Sequence, residues 1–266
     1  MIDIHAHIIP EVDDGPGSLE VSLEMLRAAA HDGIKAVVAT PHILGNLEFA
    51  REREIIRKFL DLRQRVKEEG IPVHLYLGSE IYIEPNLDLD HRIATLANNG
   101  RYFLVEFPMQ GIPVFAAERF FEMMVEGKTP IIAHPERNAA ILLDPKKAYE
   151  FVRRGALLQI NAGSLIGRFG DRVREVAEKL LAARLVHFVA TDAHDTNSRP
   201  LLLSKAYQLV AHRMGQEFAR LVFQENPMRA LRGERIEPPE PCVEELERWA
   251  PGGLKKWIVS WWRKGR

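Results

Sequence analysis

Residues able to ligate a divalent metal fall at the ends of short apolar runs along this chain, and none of them is a thiol. The first run, MIDIHAHIIPEVDDG, carries His5 and His7 two residues apart, with Asp13 and Asp14 in the loop behind them. Later runs deliver His42 (AVVATPH), Glu80 (VHLYLGSE), Glu106 (RYFLVEF), His134 (PIIAHPER), and Asp192 with His194 (HFVATDAH). An H-x-H pair on a strand points both imidazoles to one side. Here that strand reads as running from a sheet edge into a loop. A single strand-end histidine is more often a hydrogen-bonded structural residue. The joint pattern is different, because buried carboxylates such as Glu80 and Glu106 are costly without a cation beside them. At the ends of neighbouring strands the two would also repel each other, and metal ions remove that conflict. Nitrogen and oxygen donors suit Zn, Mn or Fe better than Cu(I) or an iron–sulfur cluster. So many ligands exceed the needs of one ion, which points to a polynuclear site.

The elements that must position these residues alternate in type. Seven apolar runs rich in Val, Ile and Leu read as strands, near Ile2–His5, Ile34–Thr40, Val73–Gly78, Tyr102–Glu106, Pro130–His134, Ala156–Ile160 and His187–Thr191. Helical periodicity separates them. Ile55, Phe59, Leu62 and Val66 recur at three- and four-residue steps with charges on the other face. Ser18 is placed to cap the first helix, and Gly33 and Gly70 sit where helices end. Alternation of this kind implies a mostly parallel sheet with helices outside it. Seven repeats favour a closed or nearly closed (β/α) barrel, whose active site lies at the C-terminal ends of the strands. The ligand-bearing residues occupy those ends.

Composition narrows the class further. At 266 residues, 46% hydrophobic and 27% charged, the chain fits one globular α/β enzyme domain. A net charge of −1 supplies no field for nucleic acid or an anionic membrane. No apolar stretch reaches the ~20 residues of a membrane span, and no signal peptide precedes His5 and His7. One cysteine, Cys242, excludes an internal disulfide framework. A soluble cytoplasmic protein is expected. Composition changes after Arg235, so the expected division is a barrel over 1–235 and an extension over 236–266. The extension ends in LKKWIVSWWRKGR, where Leu254, Ile258 and Trp261 share a helical face among Lys255, Lys256, Arg263 and Lys264. Docking onto the barrel or a neighbouring subunit is the expectation for it. Peripheral contact with an anionic membrane is the alternative.

DIHAHIIPEVDDG, ATPH, GSE, HPER, LQINAGSL and SRP after TDAH resemble the polymerase-and-histidinol-phosphatase (PHP) superfamily, in family order and spacing from Met1 to about Arg235. More narrowly they resemble its bacterial protein-tyrosine-phosphatase branch, which accompanies the tyrosine kinases of capsule and exopolysaccharide synthesis. The resemblance implies a distorted seven-stranded (β/α) barrel with two to three divalent ions (Mn, Fe or Zn). It implies His5, His7, Asp14, His42, Glu80, Glu106, His134, Asp192 and His194 as ligands, with Asp13 supporting the loop. Arg137 and Arg199, shortly after His134 and His194, are placed to fork onto a phosphate.

Such ions lower the pKa of a bound water and neutralise charge on a phosphoryl group. The expected reaction is in-line attack on phosphorus by a hydroxide bridging the metals, without a covalent phosphoenzyme. A tyrosyl leaving group, of pKa near ~10, needs little protonation, and His42 or His194 is a candidate to assist it. The expected substrate is a phosphotyrosyl protein, a membrane-associated tyrosine kinase, with homo-oligomerisation also expected. Histidinol phosphate is the rival substrate, and a nuclease role is disfavoured by the lack of a basic stripe. Cys242 to Arg248 fits a C-x5-R pattern, but Val-Glu-Glu-Leu-Glu between them would repel phosphate and raise the thiol pKa. That match is coincidental.

Overall fold

Branched apolar residues build the strands, and parallel pairing buries both of their faces. Strand β1 (Ile2–Ala6) is buried at every position, as is β8 (Leu157–Asn161). The others are β2 (Ala36–Ala39), β3 (His42–Ile43), β4 (His74–Leu77), β5 (Glu80–Tyr82), β6 (Tyr102–Glu106), β7 (Thr129–Ala133) and β9 (Phe188–Ala190). This computed structural model describes residues 1–245 and 248, apart from Asn46, Pro238 and Val243. The Trp-rich tail lies outside those residues.

Pairing runs β1-β2-β4 in one sheet and β3-β5-β6-β7-β8-β9 in the other. The division between them is local. Segments β2 and β3 form one strand interrupted at Thr40-Pro41, and β4 and β5 one strand interrupted at Gly78-Ser79. Gly78 N–H donates to Ala39 at 2.9 Å and Glu80 N–H to Pro41 at 3.1 Å, carrying the ladder across both breaks. The nine segments therefore occupy seven positions around the barrel. Asp192 N–H donating to His5 O (2.9 Å) and His7 N–H to Ala193 O (2.8 Å) join the last position to the first. Strand β1 thus has a neighbour on each side and is not the edge strand its sequence suggests. Closure supplies the second partner, which one strand's residue pattern does not record.

Helices cover the outside. The first, α1 (Leu19–His31), begins at Ser18, whose Oγ accepts from Val21 N–H. In α2 (Phe49–Glu68), Ile55, Phe59, Leu62 and Val66 form the buried stripe that the periodicity predicts. Gly33 and Gly70 end these two helices at φ +87° and +64°, where a side chain would be strained. Ile34 N–H then reaches back to Ala29 O and Ile71 N–H to Val66 O. Further round lie α3 (Ala116–Val125), α4 (Ala139–Leu143), α5 (Lys146–Arg153), α6 (Ala162–Leu165), α7 (Asp171–Ala182), α8 (Ser204–Met214), α9 (Gln216–Arg220) and α10 (Asn226–Leu231). No helix among the described residues is long and apolar enough to cross a membrane.

Two apolar layers result. Outward-facing Val37, Phe103, Ile132, Leu158 and Val189 pack under the helices. Inward-facing Ile4, Val38, Leu104, Ile131, Leu157 and Phe188 fill the barrel, and Leu231 and Ile236 close its floor. Tyr102 Oη donates to Glu234 O (2.8 Å) and accepts from Ile236 N–H (3.1 Å) at that floor. The polypeptide therefore stays on the barrel beyond Arg235. Farther on, Cys242 N–H donates to Ala183 O at 2.9 Å. Ala183 lies between α7 and β9, which places Cys242 at the N-terminal end of the strands, away from the ligand-bearing C-terminal ends. Arg248 pairs with Glu245 at 2.8 Å.

Candidate metal centre

A bulge in β1 aims the first two histidines. Asp3 and Ala6 pair with Val37 and Ala39, so β1 carries one residue more than β2 over that stretch. Ile4 packs in the inner core, and His5 also points inward, where its Nδ1 donates to Gln159 Oε1 at 2.8 Å. His7 follows two residues later on the same side, with Nδ1 2.7 Å from Asp13 Oδ2. Asp3 leaves the interior and accepts the backbone N–H groups of Thr191 and His5. Burial raises its pKa to about 6 against those hydrogen bonds.

Each hydrogen bond on a ring Nδ1 frees the opposite nitrogen. With Nδ1 committed, His5 and His7 present Nε2 lone pairs to the mouth, 3.2 Å apart. His194 Nδ1 donates to Asp192 O at 2.9 Å, leaving its Nε2 free in the same way. Glu80 Oε2 lies 3.2 Å from His5 Nε2 and 3.3 Å from His7 Nε2. Asp192 Oδ1 lies 3.5 and 3.6 Å from the same two atoms. A tetrahedron of ligands at ~2.0–2.1 Å from a central ion has edges of about 3.3–3.4 Å. These five separations match the edges of that tetrahedron.

Two further groups surround this one. His42, Glu80 and Glu106 form the first, with His42 Nδ1 3.1 Å from Glu80 Oε2 and 3.7 Å from Glu106 Oε1. His134 joins it through Nε2, 2.8 Å from Glu80 Oε1 and 3.8 Å from Glu106 Oε2. His7, Asp14, His42 and His194 form the second, with Asp14 Oδ1 3.1 Å from His194 Nε2 and 3.4 Å from His42 Nε2. His7, His42 and Glu80 are each shared by two groups. All nine sequence-predicted ligands thus converge on one mouth. Asp13 stands beside them, holding the His7 ring and the His42 and Gly15 N–H groups.

The donors fit divalent cations. His42 Nδ1, Glu80 Oε2, Asp192 Oδ1 and His194 Nε2 are buried without a hydrogen-bond partner. Each faces other ligand atoms of the cluster, an arrangement that costs free energy unless a cation lies among them. The protonation balance points the same way. Burial disfavours a charged His5, yet the Glu80 and Asp192 charges outweigh it and lift the pKa to about 9. Burial is outweighed at His7 too, by the Asp13 and Glu80 carboxylates beside its ring, giving about 10. Burial works to raise Glu80, but the surrounding histidines hold it well below the usual carboxylate range. Burial and then the Glu80 charge push Glu106 upward. The site is starved of positive charge.

Backbone conformation supports the aim of two ligands. His134 and Asp192 adopt left-handed φ values of +31° and +53°, unusual for residues with a Cβ and of the kind that concentrates at functional sites. The turn at Asp192 directs Oδ1 to the histidines and Oδ2 to the rim. There Arg137 Nη1 binds Oδ2 at 2.9 Å, and Arg199 Nη1 lies 3.8 Å from it. Arg199 Nη2 also meets Asp14 Oδ2 at 3.1 Å, and the Arg137 guanidinium lies 4.4 Å over the Phe169 ring.

Sequence reasoning misses the amides behind the ligands. Gln159 Nε2 donates to Asn161 Oδ1 (2.9 Å), and Asn161 Nδ2 to Asp192 Oδ2 (2.8 Å), completing a chain from His5 to Asp192. Two amides at alternate positions of the apolar strand LLQIN are the available signal. Glu136 is missed as well. It is wholly buried, accepts from Asn161 N–H and Ser164 Oγ, and so ties β8 to α6.

Comparison with known proteins places this architecture. The chain is 39% identical over 246 residues to the tyrosine-protein phosphatase YwqE of Bacillus subtilis (strain 168), covering 91% of this chain and 96% of that protein. It is 32% identical to the tyrosine-protein phosphatase CpsB of Streptococcus pneumoniae, over 89% of this chain and all of that one. A crystal structure from work on YwqE and CpsB, described there as unique metal-dependent tyrosine phosphatases, superposes with a TM-score of 0.83 at 37% identity. It covers 91% of this chain and 99% of its own. Residues 1–232 match the family described as capsular polysaccharide synthesis, CpsB/CapC. The chain belongs to the CpsB/CapC family.

Proposed function

We propose that this protein is a metal-dependent phosphatase that hydrolyses phosphotyrosine on proteins. The observation that carries the reading is the quartet formed by His5, His7, Glu80 and Asp192, whose free lone pairs stand at tetrahedral spacing. The likeness to YwqE and CpsB supports the tyrosine-phosphatase assignment.

The shared residues bear on ion count. A neutral imidazole has one lone pair, so His7 serves one ion, whereas Glu80 has two oxygens and can serve two. His5, His7, Glu80 and Asp192 would hold one ion, and Glu80, Glu106, His134 and His42 a second. A third would have only Asp14 and His194 of its own, and would exchange most readily. With nitrogen and oxygen donors throughout, Mn, Fe and Zn are the candidate metals. Bound divalent ions supply a nucleophilic water near neutral pH and offset phosphate charge. Metal and protons compete for His5 and His7, so metal uptake releases protons.

The remaining work falls to the chain's own side chains. Arg137 and Arg199 flank the mouth, where guanidinium forks hold and orient two phosphate oxygens. His194 suits a ligand more than an acid, since burial and then the His7 charge depress its pKa to about 4. His42, whose pKa is raised by Glu80 against burial, can protonate the leaving oxygen only while the second ion does not hold it. A phenolate leaving group asks little of it. The physiological substrate is then a phosphotyrosyl protein of capsule or exopolysaccharide assembly, a membrane-associated tyrosine kinase.

Dialysis against a chelator should abolish hydrolysis of a phosphotyrosyl peptide, with recovery on adding Mn, Co, Fe or Zn. Full activity in the stripped protein would refute the metal-dependent reading. A higher kcat/KM on histidinol phosphate or on a single-stranded oligonucleotide than on the phosphopeptide would overturn the substrate class.

A further inference from the structure

Beside the cluster opens a cleft of about 670 Å³, bounded at one end by Asp14, His42 and Glu106. Its sides carry four apolar residues, Val12 from the loop after β1, Ile43 from β3, and Leu44 and Leu47 from the segment leading into α2, with the charged Asp13, Glu48 and Arg51 between them. None of these four carries chemistry, and the arrangement of ligands leaves them unused. Val12 and Ile43 are buried, while Leu44 is 72% exposed, so an apolar surface continues from the cleft out to solvent. The Val12 wall is held in place. Arg51 of α2 donates to Val12 O, and Lys58 Nζ donates to the carbonyls of Glu11 (2.8 Å) and Pro10 (3.4 Å). Three successive carbonyls of that loop are thereby tied to one helix. Arg137 reaches the cluster at Asp192 and Arg199 spans Asp192 and Asp14, and neither lines the cleft.

We propose that this cleft is the subsite for the aromatic ring of the substrate, with Leu44 and Leu47 the specificity-determining residues that favour an aryl phosphate. The inference rests on the phosphotyrosine reading above and names where that selectivity resides. A phosphoryl group held between the cluster and the two arginines sends its ester oxygen toward the side they leave free. A tyrosyl ring then lies between Val12 and Ile43 on one hand and the two leucines on the other, losing its contact with water. The single methylene of phosphoserine is too short to reach those walls. A leaving group with an apolar ring therefore gains binding that inorganic phosphate lacks.

The test uses full-length, metal-loaded protein with Leu44→Ser and Leu47→Ser. Steady-state KM for a phosphotyrosyl peptide and titration with its non-hydrolysable phosphonate analogue report the ring subsite. The Ki of inorganic phosphate reports the phosphoryl site alone. Each variant should weaken the peptide measures about tenfold, while the phosphate Ki moves less than twofold and Leu→Met restores the peptide affinity. Equal loss for peptide and phosphate, or no loss for either, would overturn the assignment. Leu44 is so exposed that its variant remains informative even if Leu47→Ser loosens the segment. A wild-type protein that binds phosphate but ignores the phosphotyrosyl peptide would instead refute the functional reading itself.

Discussion

The two ends of this barrel bury histidines to opposite effect. At the floor, His187 is fully enclosed, and burial drives its pKa down to about 3. Its Nδ1 accepts from Leu158 N–H at 3.0 Å, and Asn226 Nδ2 donates to its carbonyl at 3.0 Å. At the mouth, His5 and His7 are buried as completely, yet their pKa values stand at about 9 and about 10. Burial alone makes an imidazole a neutral packing group. Carboxylates set against the ring turn it into part of a site that demands positive charge. Chain direction separates the two ends, because the loops that deliver carboxylates follow the C-terminal ends of parallel strands.

Removing the carboxylate at the centre of the mouth should have the largest effect. Glu80→Gln deletes charge from two of the three ligand groups. We expect at least ~1,000-fold loss of kcat/KM with metal content falling below that of the native protein, read by plasma emission spectrometry. Native-like metal content and rate in this variant would remove the asymmetry between the ends. Next come the rim arginines. Arg137→Ala and Arg199→Ala should each cost ~100-fold in kcat/KM while metal content holds. Lysine at either position should restore only a small part, since it lacks the planar fork. A loss of metal accompanying the Arg137 variant would recast that arginine as a support for Asp192.

A smaller effect separates ligands from what holds them. Gln159→Leu preserves every ligand but removes the acceptor of the His5 Nδ1 proton and breaks the amide chain to Asp192. Metal affinity should drop about 10–100-fold, as is usual for such supporting groups. The measurement is competition against a chelator of known affinity. Unchanged affinity would mean that the carboxylates alone orient His5.

How much of this was legible beforehand follows from what each residue must do. His5, Glu106 and Asp192 could be found because an ionisable residue ending an apolar strand has few other reasons to be there. Gln159 and Asn161 could not, since an amide inside a strand reads as a polar interruption until the barrel shows which way it faces. The bulge that turns His5 inward depends on register against β2, a long-range property. Barrel closure through Asp192 and His5 backbones is likewise a pairing across 187 residues of sequence, read here from a hydrogen bond of 2.9 Å. Ser18, Gly33 and Gly70 act within their own turns, so their roles were readable directly.

The least intrusive test of the comparison is at the floor. His187 in the folded protein stays neutral until pH approaches 3, whereas in the unfolded chain it takes up a proton near ~6.5. Its folded pKa is depressed, so its contribution is fully present above ~6.5 and is lost as pH falls toward 3. The slope reaches at most ~1.4 kcal/mol per pH unit. His187→Asn keeps an acceptor for Leu158 N–H and removes the titration. Denaturant melts of the metal-free variant between pH 7 and 4 should therefore show stability falling less steeply than in the native protein. Its starting stability will be lower, because a smaller side chain leaves space in the packed floor. The metal-loaded variant should keep kcat at pH 7 within about twofold, since stability effects of this size leave the folded population intact. A pH–rate profile displaced by this substitution would couple the floor to the mouth, and the two ends could no longer be treated as chemically independent.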